Sequence, residues 1–164
     1  LSENFLEDLG IPAIMITGKG YPDLNTRRML RRLAFELLPS QAKFVCLVDG
    51  DPFGMEILSL YKYGARKVAF CDEPLAVPKL NWSGIYPSEA SDLASDVSIQ
   101  ECTEEDLKRA QDLKKKTFIS QKIQDELTFL IDTKKKISLA HILKSTNVFC
   151  NYSVFLKDKL SQLM

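Results

Sequence analysis

Phe44-Val45-Cys46-Leu47-Val48-Asp49-Gly50-Asp51-Pro52-Phe53-Gly54 is the stretch on which the fold turns. Its first five residues are apolar without alternation and carry β-branched Val45 and Val48, the pattern of a strand buried on both faces of a parallel sheet. Pro52 suits the first position of a helix, with Asp51 at the N-cap and Ile57, Leu58 and Tyr61 on a buried stripe that ends at Gly64. Upstream, Pro12-Ala13-Ile14-Met15-Ile16-Thr17 is another short apolar run, bounded by Gly10 and Gly18, and it reads as a second buried strand. Between the two runs Leu30, Leu33, Ala34 and Leu37 recur at helical spacing, with Asp23 or Asn25 able to cap the start and Pro39 to end it. Lys67-Val68-Ala69-Phe70 adds a third strand. Strands alternating with helices predict an α/β fold, a Rossmann-like parallel sheet flanked by helices, because parallel neighbours need a crossover connection.

Past Phe70 the pattern changes. Pro74, Pro78, Trp82, Gly84 and Pro87 mark a loop-rich segment, and helical periodicity takes over from Thr103. Ile119, Ile123, Leu127, Leu130 and Ile131 form one apolar stripe, Ile137, Ala140 and Leu143 begin another, and 148–163 reads as a last helix, so the C-terminal region is expected to be helical. With 164 residues, 45% of them apolar, and seven each of Gly and Pro, the chain has the material for one globular domain over 1–164. Lys and Arg balance Asp and Glu at 22 each, so a nucleic-acid argument must rest on local clustering. Cys46, Cys71, Cys102 and Cys150 lie far apart and there is one His, which argues against a zinc site or a disulfide framework and fits a reducing, intracellular compartment. No apolar run approaches the length of a membrane span. Leu1-Ser2-Glu3-Asn4 resembles neither a signal peptide nor a usual start, so the sequence reads as a piece of a longer protein.

Asp49 and Asp51 stand two apart at the carboxyl end of the strand, and on extended backbone such side chains point the same way. Two carboxylates facing one cation suit magnesium, which takes one or two protein carboxylates and completes its octahedron with waters and phosphate oxygens. Asp51 read only as a helix cap explains the same spacing, and spacing alone leaves both readings open. Gly18-Lys19-Gly20-Tyr21-Pro22 follows the other strand at the same sheet edge, where open α/β sheets place ligands; its glycines admit a phosphate and Lys19 adds charge. Arg27 with Arg31 and Arg28 with Arg32 form i,i+4 pairs, expected on the exposed side of the next helix and suited to phosphate contact. Lys114-Lys115-Lys116 and Lys134-Lys135-Lys136 lie among Asp106, Asp112, Asp125, Glu126 and Asp132 and read as a salt-laced solvent face. His141, Trp82 and the Tyr61/Tyr63 pair read as packing residues.

Taken in order and spacing, the motifs from Ile16 to Asp23 and from Leu47 to Gly54, with Tyr61-Lys62-Tyr63-Gly64 and Trp82-Ser83-Gly84-Ile85-Tyr86-Pro87-Ser88, resemble the topoisomerase VI A-subunit family and its meiotic relatives. Gln124-Asp125-Glu126-Leu127 and Lys134-Lys135-Lys136-Ile137 resemble the family's C-terminal helices, and Glu56-Ile57-Leu58 with Tyr61-Lys62 is closer to the eukaryotic, meiotic branch. The resemblance implies a Toprim domain that supplies Mg2+ to a DNA-cleaving transesterase, with Asp49 and Asp51 as the Asp-x-Asp ligands; from the glycine loop and the local charge bias, Lys19, Gly20, Tyr21, Arg27, Arg28 and Arg31 are expected toward the DNA. It also implies an upstream winged-helix domain whose tyrosine becomes joined to a 5′ end, and a Toprim glutamate placed just before Leu1. Glu3 and Glu7 precede a turn in a helical pattern and do not replace that glutamate, and no tyrosine here sits in a winged-helix context. The chain by itself is therefore not expected to cut DNA. Further implications are double-stranded DNA as substrate, a homodimer pairing one protomer's tyrosine with its partner's Toprim site, association with a topoisomerase VI B-like subunit, further association with accessory meiotic proteins, and the nucleus as the place of action. Two other readings stand beside this one: a non-catalytic DNA-binding or assembly domain, and an Asp-x-Asp magnesium phosphatase or glycosyltransferase. Phe53 stands where such phosphatases usually carry Thr or Val, and their further acidic motifs are not found downstream.

Overall fold

The computed structural model describes residues 12–64, 75–91, 99–139 and 160. The predicted helix before the central strand forms as α1 (Leu24–Arg32), capped by Asp23, whose side chain accepts from the Thr26 amide, and it continues as a π-helical turn (Leu33–Leu37). β1 (Phe44–Cys46) follows, and α2 (Pro52–Tyr63) starts where Asp51 and Pro52 predict it and ends at Gly64, φ 82°. β2 (Leu80–Trp82) lies parallel to β1, Phe44 opposite Leu80 and Cys46 opposite Trp82, and the Ser83 amide extends the ladder to the Cys46 carbonyl. This parallel pair joined through a helix is an α/β arrangement.

After a 3-10 turn (Pro87–Ser91), β3 (Ile99–Glu101) pairs antiparallel with β4 (Lys135–Ile137), and between them run α3 (Glu104–Lys114) and α4 (Gln121–Thr133). The core fills the space between the parallel pair and these helices: Met55, Leu58, Leu80, Leu113, Leu127 and Leu130 are each at most 3% exposed. Burying such a side chain stabilises by about 1.5–3 kcal/mol, so α2 and α4 are held by their apolar stripes more than by intrinsic propensity.

Three expectations are corrected. Residues 12–17 form no strand: Ile14 and Met15 are 62% and 51% exposed, and β1 takes its ladder from β2. An apolar run becomes a strand only where a neighbour supplies hydrogen bonds, and none of the described strands does so here. The segment read as loop-rich contains β2, with Trp82 inside it and 9% exposed. Ile137 does not begin a helical stripe; Lys134 turns the chain in the left-handed conformation (φ 55°) and Ile137 ends a strand. The expected strand at 67–70, the helical run through Ala140, His141 and Leu143, and the helix over 148–163, Leu160 excepted, lie outside the described residues.

Candidate functional site

Asp49 and Asp51 occupy the turn between β1 and α2, and each is fixed by one carboxylate oxygen. Asp49 Oδ1 accepts from the Leu139 amide at 2.6 Å and the Ser138 hydroxyl at 3.1 Å, and Asp51 Oδ1 accepts from the Gly54 amide at 2.7 Å. The turn is clipped from outside by a two-way backbone bridge, Gly50 N to Ile137 O at 2.9 Å and Ile137 N to Gly50 O at 3.1 Å. Gly54 lies so close beneath it that a Cβ there would collide with the Asp49 carbonyl, which is why the first turn of α2 carries glycine.

Asp51 is therefore a helix cap, and capping leaves its Oδ2 without a hydrogen bond from any described residue. The same holds for Oδ2 of Asp49. Burial pushes the Asp51 carboxyl above the ordinary carboxylate value; the Gly54 hydrogen bond opposes this, the Asp49 charge adds to it, and Lys136 and Asp106 act more weakly in opposite senses. Two like charges held together, each with an oxygen to spare, fit a hard divalent cation with one or two protein carboxylates. Among the described residues no third His, Cys, Asp or Glu joins them.

The raised Asp51 carboxyl has a consequence for stability. Its folded state binds a proton more readily than the unfolded chain, so this contribution is fully present below the ordinary carboxylate value and is lost as pH rises through the folded one. Asp51→Asn, which keeps a good capping side chain, is expected to raise the melting temperature of the metal-free domain by a few degrees at pH 7. The difference should shrink as pH falls toward 4. Thermal melts in chelator at the two pH values check it.

Two residues of this neighbourhood were not legible as site residues. Asp106, 1% exposed at the start of α3, accepts from the Thr103 amide and hydroxyl at 2.8 Å each and from Lys136 Nζ at 2.7 Å. Lys136 was expected on a solvated face; its ion pair with the buried carboxylate of Asp106, which follows the paired strand β3, corrects that. The Thr103-x-x-Asp106 capping box was the available signal for Asp106.

The glycine loop behaves differently. Lys19 and Gly20 turn at φ 50° and 112°, and Lys19, Gly20 and Tyr21 are exposed. Tyr21 bends back to donate its hydroxyl to Glu56 Oε2 at 2.5 Å, and burial together with the Glu56 carboxylate pushes its pKa up to about 12. The arginine face is half of what was expected. Arg28 and Arg32 are exposed, but Arg27 is 5% exposed beneath α1, and Arg31 is half-buried, donating to the Ala76 carbonyl at 3.2 Å and lying 4.8 Å over the Phe35 ring. Tyr61, beside Arg27, packs as expected, and its hydroxyl lies near Gly18.

The family model for the Toprim domain of Spo11 and the topoisomerase 6 A-subunit matches residues 1–160. Meiotic recombination protein W68 of Drosophila melanogaster is 34% identical over 143 residues, 87% of this chain and 42% of its own. Meiotic recombination protein SPO11 of Mus musculus is 32% identical over 98% of this chain and 40% of its own. The A-subunit of DNA topoisomerase 6 from Arabidopsis thaliana is 33% identical over 92% of this chain and 35% of its own. The chain spans about two fifths of the length of the curated relatives it matches. With the whole described fold and both glycine-bearing motifs inside the matched residues, the chain belongs to the Toprim-domain family of Spo11 and the topoisomerase 6 A-subunit.

Proposed function

We propose that this domain holds Mg2+ on Asp49 and Asp51 and positions duplex DNA across the edge formed by the 18–21 loop and α1, as part of a double-strand-breaking transesterase of the meiotic branch. The observation that carries the reading is the pair of aspartates, each anchored through one oxygen and each with the other left for a cation. Mg2+ bound there supplies fixed positive charge to phosphate oxygens. Asp49 and Asp51 would hold it through their Oδ2 atoms. The bridge to Ile137 and the bonds from 138–139 keep the Asp49 carboxylate from turning away, so orientation is set before DNA arrives. Lys19 and Arg28, both exposed, supply the backbone contacts; Arg27 and Arg31 support α1 from inside. The nucleophilic tyrosine and a further acidic ligand belong, in this reading, to an upstream part of the protein, and cutting requires two copies and a B-like partner on chromosomal DNA in the nucleus.

Phosphate contacts predict a measurable salt dependence. Wild-type protein is expected to bind duplex without marked sequence preference, and its affinity should fall linearly on a log–log plot against salt. Lys19→Ala with Arg28→Ala should flatten that slope by about 0.9 for each phosphate no longer neutralised, or roughly 2 for the pair. Fluorescence anisotropy at several salt concentrations reads it. An unchanged slope removes these residues from the interface, and clear turnover of a phosphomonoester or a sugar nucleotide would replace the reading with the phosphatase or glycosyltransferase alternative.

A further inference from the structure

We propose that Glu56 and Arg109 form a clamp that closes on Tyr21 and holds the Gly18-Lys19-Gly20 turn in its DNA-facing shape, an inference that rests on the DNA-positioning reading above. Three separate parts of the chain meet here: the glycine loop, the second turn of α2 and the middle of α3. Glu56 Oε2 accepts from the Tyr21 hydroxyl at 2.5 Å and from Arg109 Nη1 at 2.7 Å, and the same Nη1 donates to the Tyr21 oxygen at 3.2 Å. Each member thus touches the other two. Arg109 is fixed in turn by Glu105, 3.5 Å from Nη2, and by the Phe53 ring, 4.2 Å beneath its guanidinium. Lys116 lies 3.6 Å from the other Glu56 oxygen. Glu56 and Arg109 side chains are 27% and 33% exposed, enough shielding for the contacts to be stronger than those of a fully solvated pair. Burial pushes the Glu56 carboxyl up, and the bonds from Tyr21 and Arg109 outweigh it, so the clamp stays ionised near neutral pH.

The turn needs such a clamp. Lys19 sits in the left-handed region, which a side chain with a Cβ disfavours, and Gly20 follows it at positive φ. Within the turn, the Lys19 amide donates to Thr17 Oγ1 at 3.2 Å, an exposed bond that spans two residues. Tyr21 ties the turn to the rest of the protein through its hydroxyl, which meets Glu56 and Arg109. Phe53 follows Asp51 and Pro52 directly, so the clamp also links the loop to the helix that begins at the aspartate pair. Glu56 and Arg109 are positioning residues; neither is assigned a contact with DNA.

The sign of one substitution separates this from a bulk charge effect. Glu56→Leu keeps helix propensity and removes a negative charge beside a phosphate-binding loop, so electrostatics alone predicts tighter DNA binding. The clamp predicts the reverse: several-fold weaker duplex binding by the full-length protein, a salt slope flatter by about 0.9 as Lys19 loosens from the phosphate, and faster amide hydrogen exchange over 18–21. Tyr21→Phe, which removes one hydroxyl and threatens folding less, should shift all three readouts in the same direction. Tighter binding or unaltered exchange in both variants overturns the clamp. If wild-type protein shows no salt-dependent duplex binding, the DNA reading falls, and exchange alone judges the clamp: acceleration over 18–21 upholds it as a device that holds the loop, and no change overturns it.

Discussion

Asp106→Ala is expected to cost the folded domain about 3–5 kcal/mol, the range found when one partner of a buried ion pair is removed. Asp106 is 1% exposed and the Lys136 side chain 19%, so the substitution leaves an ammonium short of solvent without its hydrogen-bonded carboxylate partner. It also removes the reciprocal cap of α3, itself worth about 1 kcal/mol. Damage should travel further, because Lys136 belongs to β4, the strand whose Ile137 bridges Gly50 and whose continuation at 138–139 holds Asp49. Urea unfolding is the measurement: a lower midpoint at unchanged m marks a weaker native state, and a decrease below about 1 kcal/mol would contradict the account of the pair. The pH dependence is opposite in sign to that of Asp51. Burial raises the Asp106 carboxyl, but the Lys136 and Thr103 hydrogen bonds outweigh it and hold it below the ordinary value. Its stabilisation is therefore present above the ordinary carboxylate range and disappears as pH falls through the folded value.

The two acids divide the work of the site by their surroundings. Asp106 has a permanent cation and two further donors; Asp51 has one backbone amide and a neighbouring Asp49. A carboxylate already neutralised by lysine is a structural tie. One that is half-buried and crowded by like charge is destabilising while ionised, the trade between stability and function seen at many functional sites.

What was legible in the sequence was what is local. Asp51-Pro52 and Gly64 predict both ends of α2, and Asp23 and Pro39 bracket α1 with its π-helical turn, since caps, proline and helical spacing act within a few residues. The Asp49/Asp51 turn was legible for the same reason. Pairing was not. Residues 12–17 carry a strand's composition, but whether a ladder forms is decided by a partner elsewhere, and β1 has β2, hidden among prolines and read as loop. Lys136 and Asp106 stand thirty positions apart and meet only because β3 and β4 bring them together. Arg27 was misjudged as exposed because four arginines in six residues cover more than one side of a helix, and the side that faces Tyr61 and Gly64 claims one of them.

The proposed role rests on magnesium binding by Asp49 and Asp51. Isothermal titration of Mg2+ into the full-length protein, wild type beside Asp49→Asn, tests it most directly. The asparagine amide oxygen can still accept from Leu139 and Ser138, so the substitution removes charge while leaving the turn its anchor. Removing one of the carboxylates of a divalent-cation site should weaken binding by about ten-fold or more. Wild-type binding with a ten-fold or greater loss in the variant is the predicted result; superimposable isotherms, or no magnesium heat in the wild type, would contradict it.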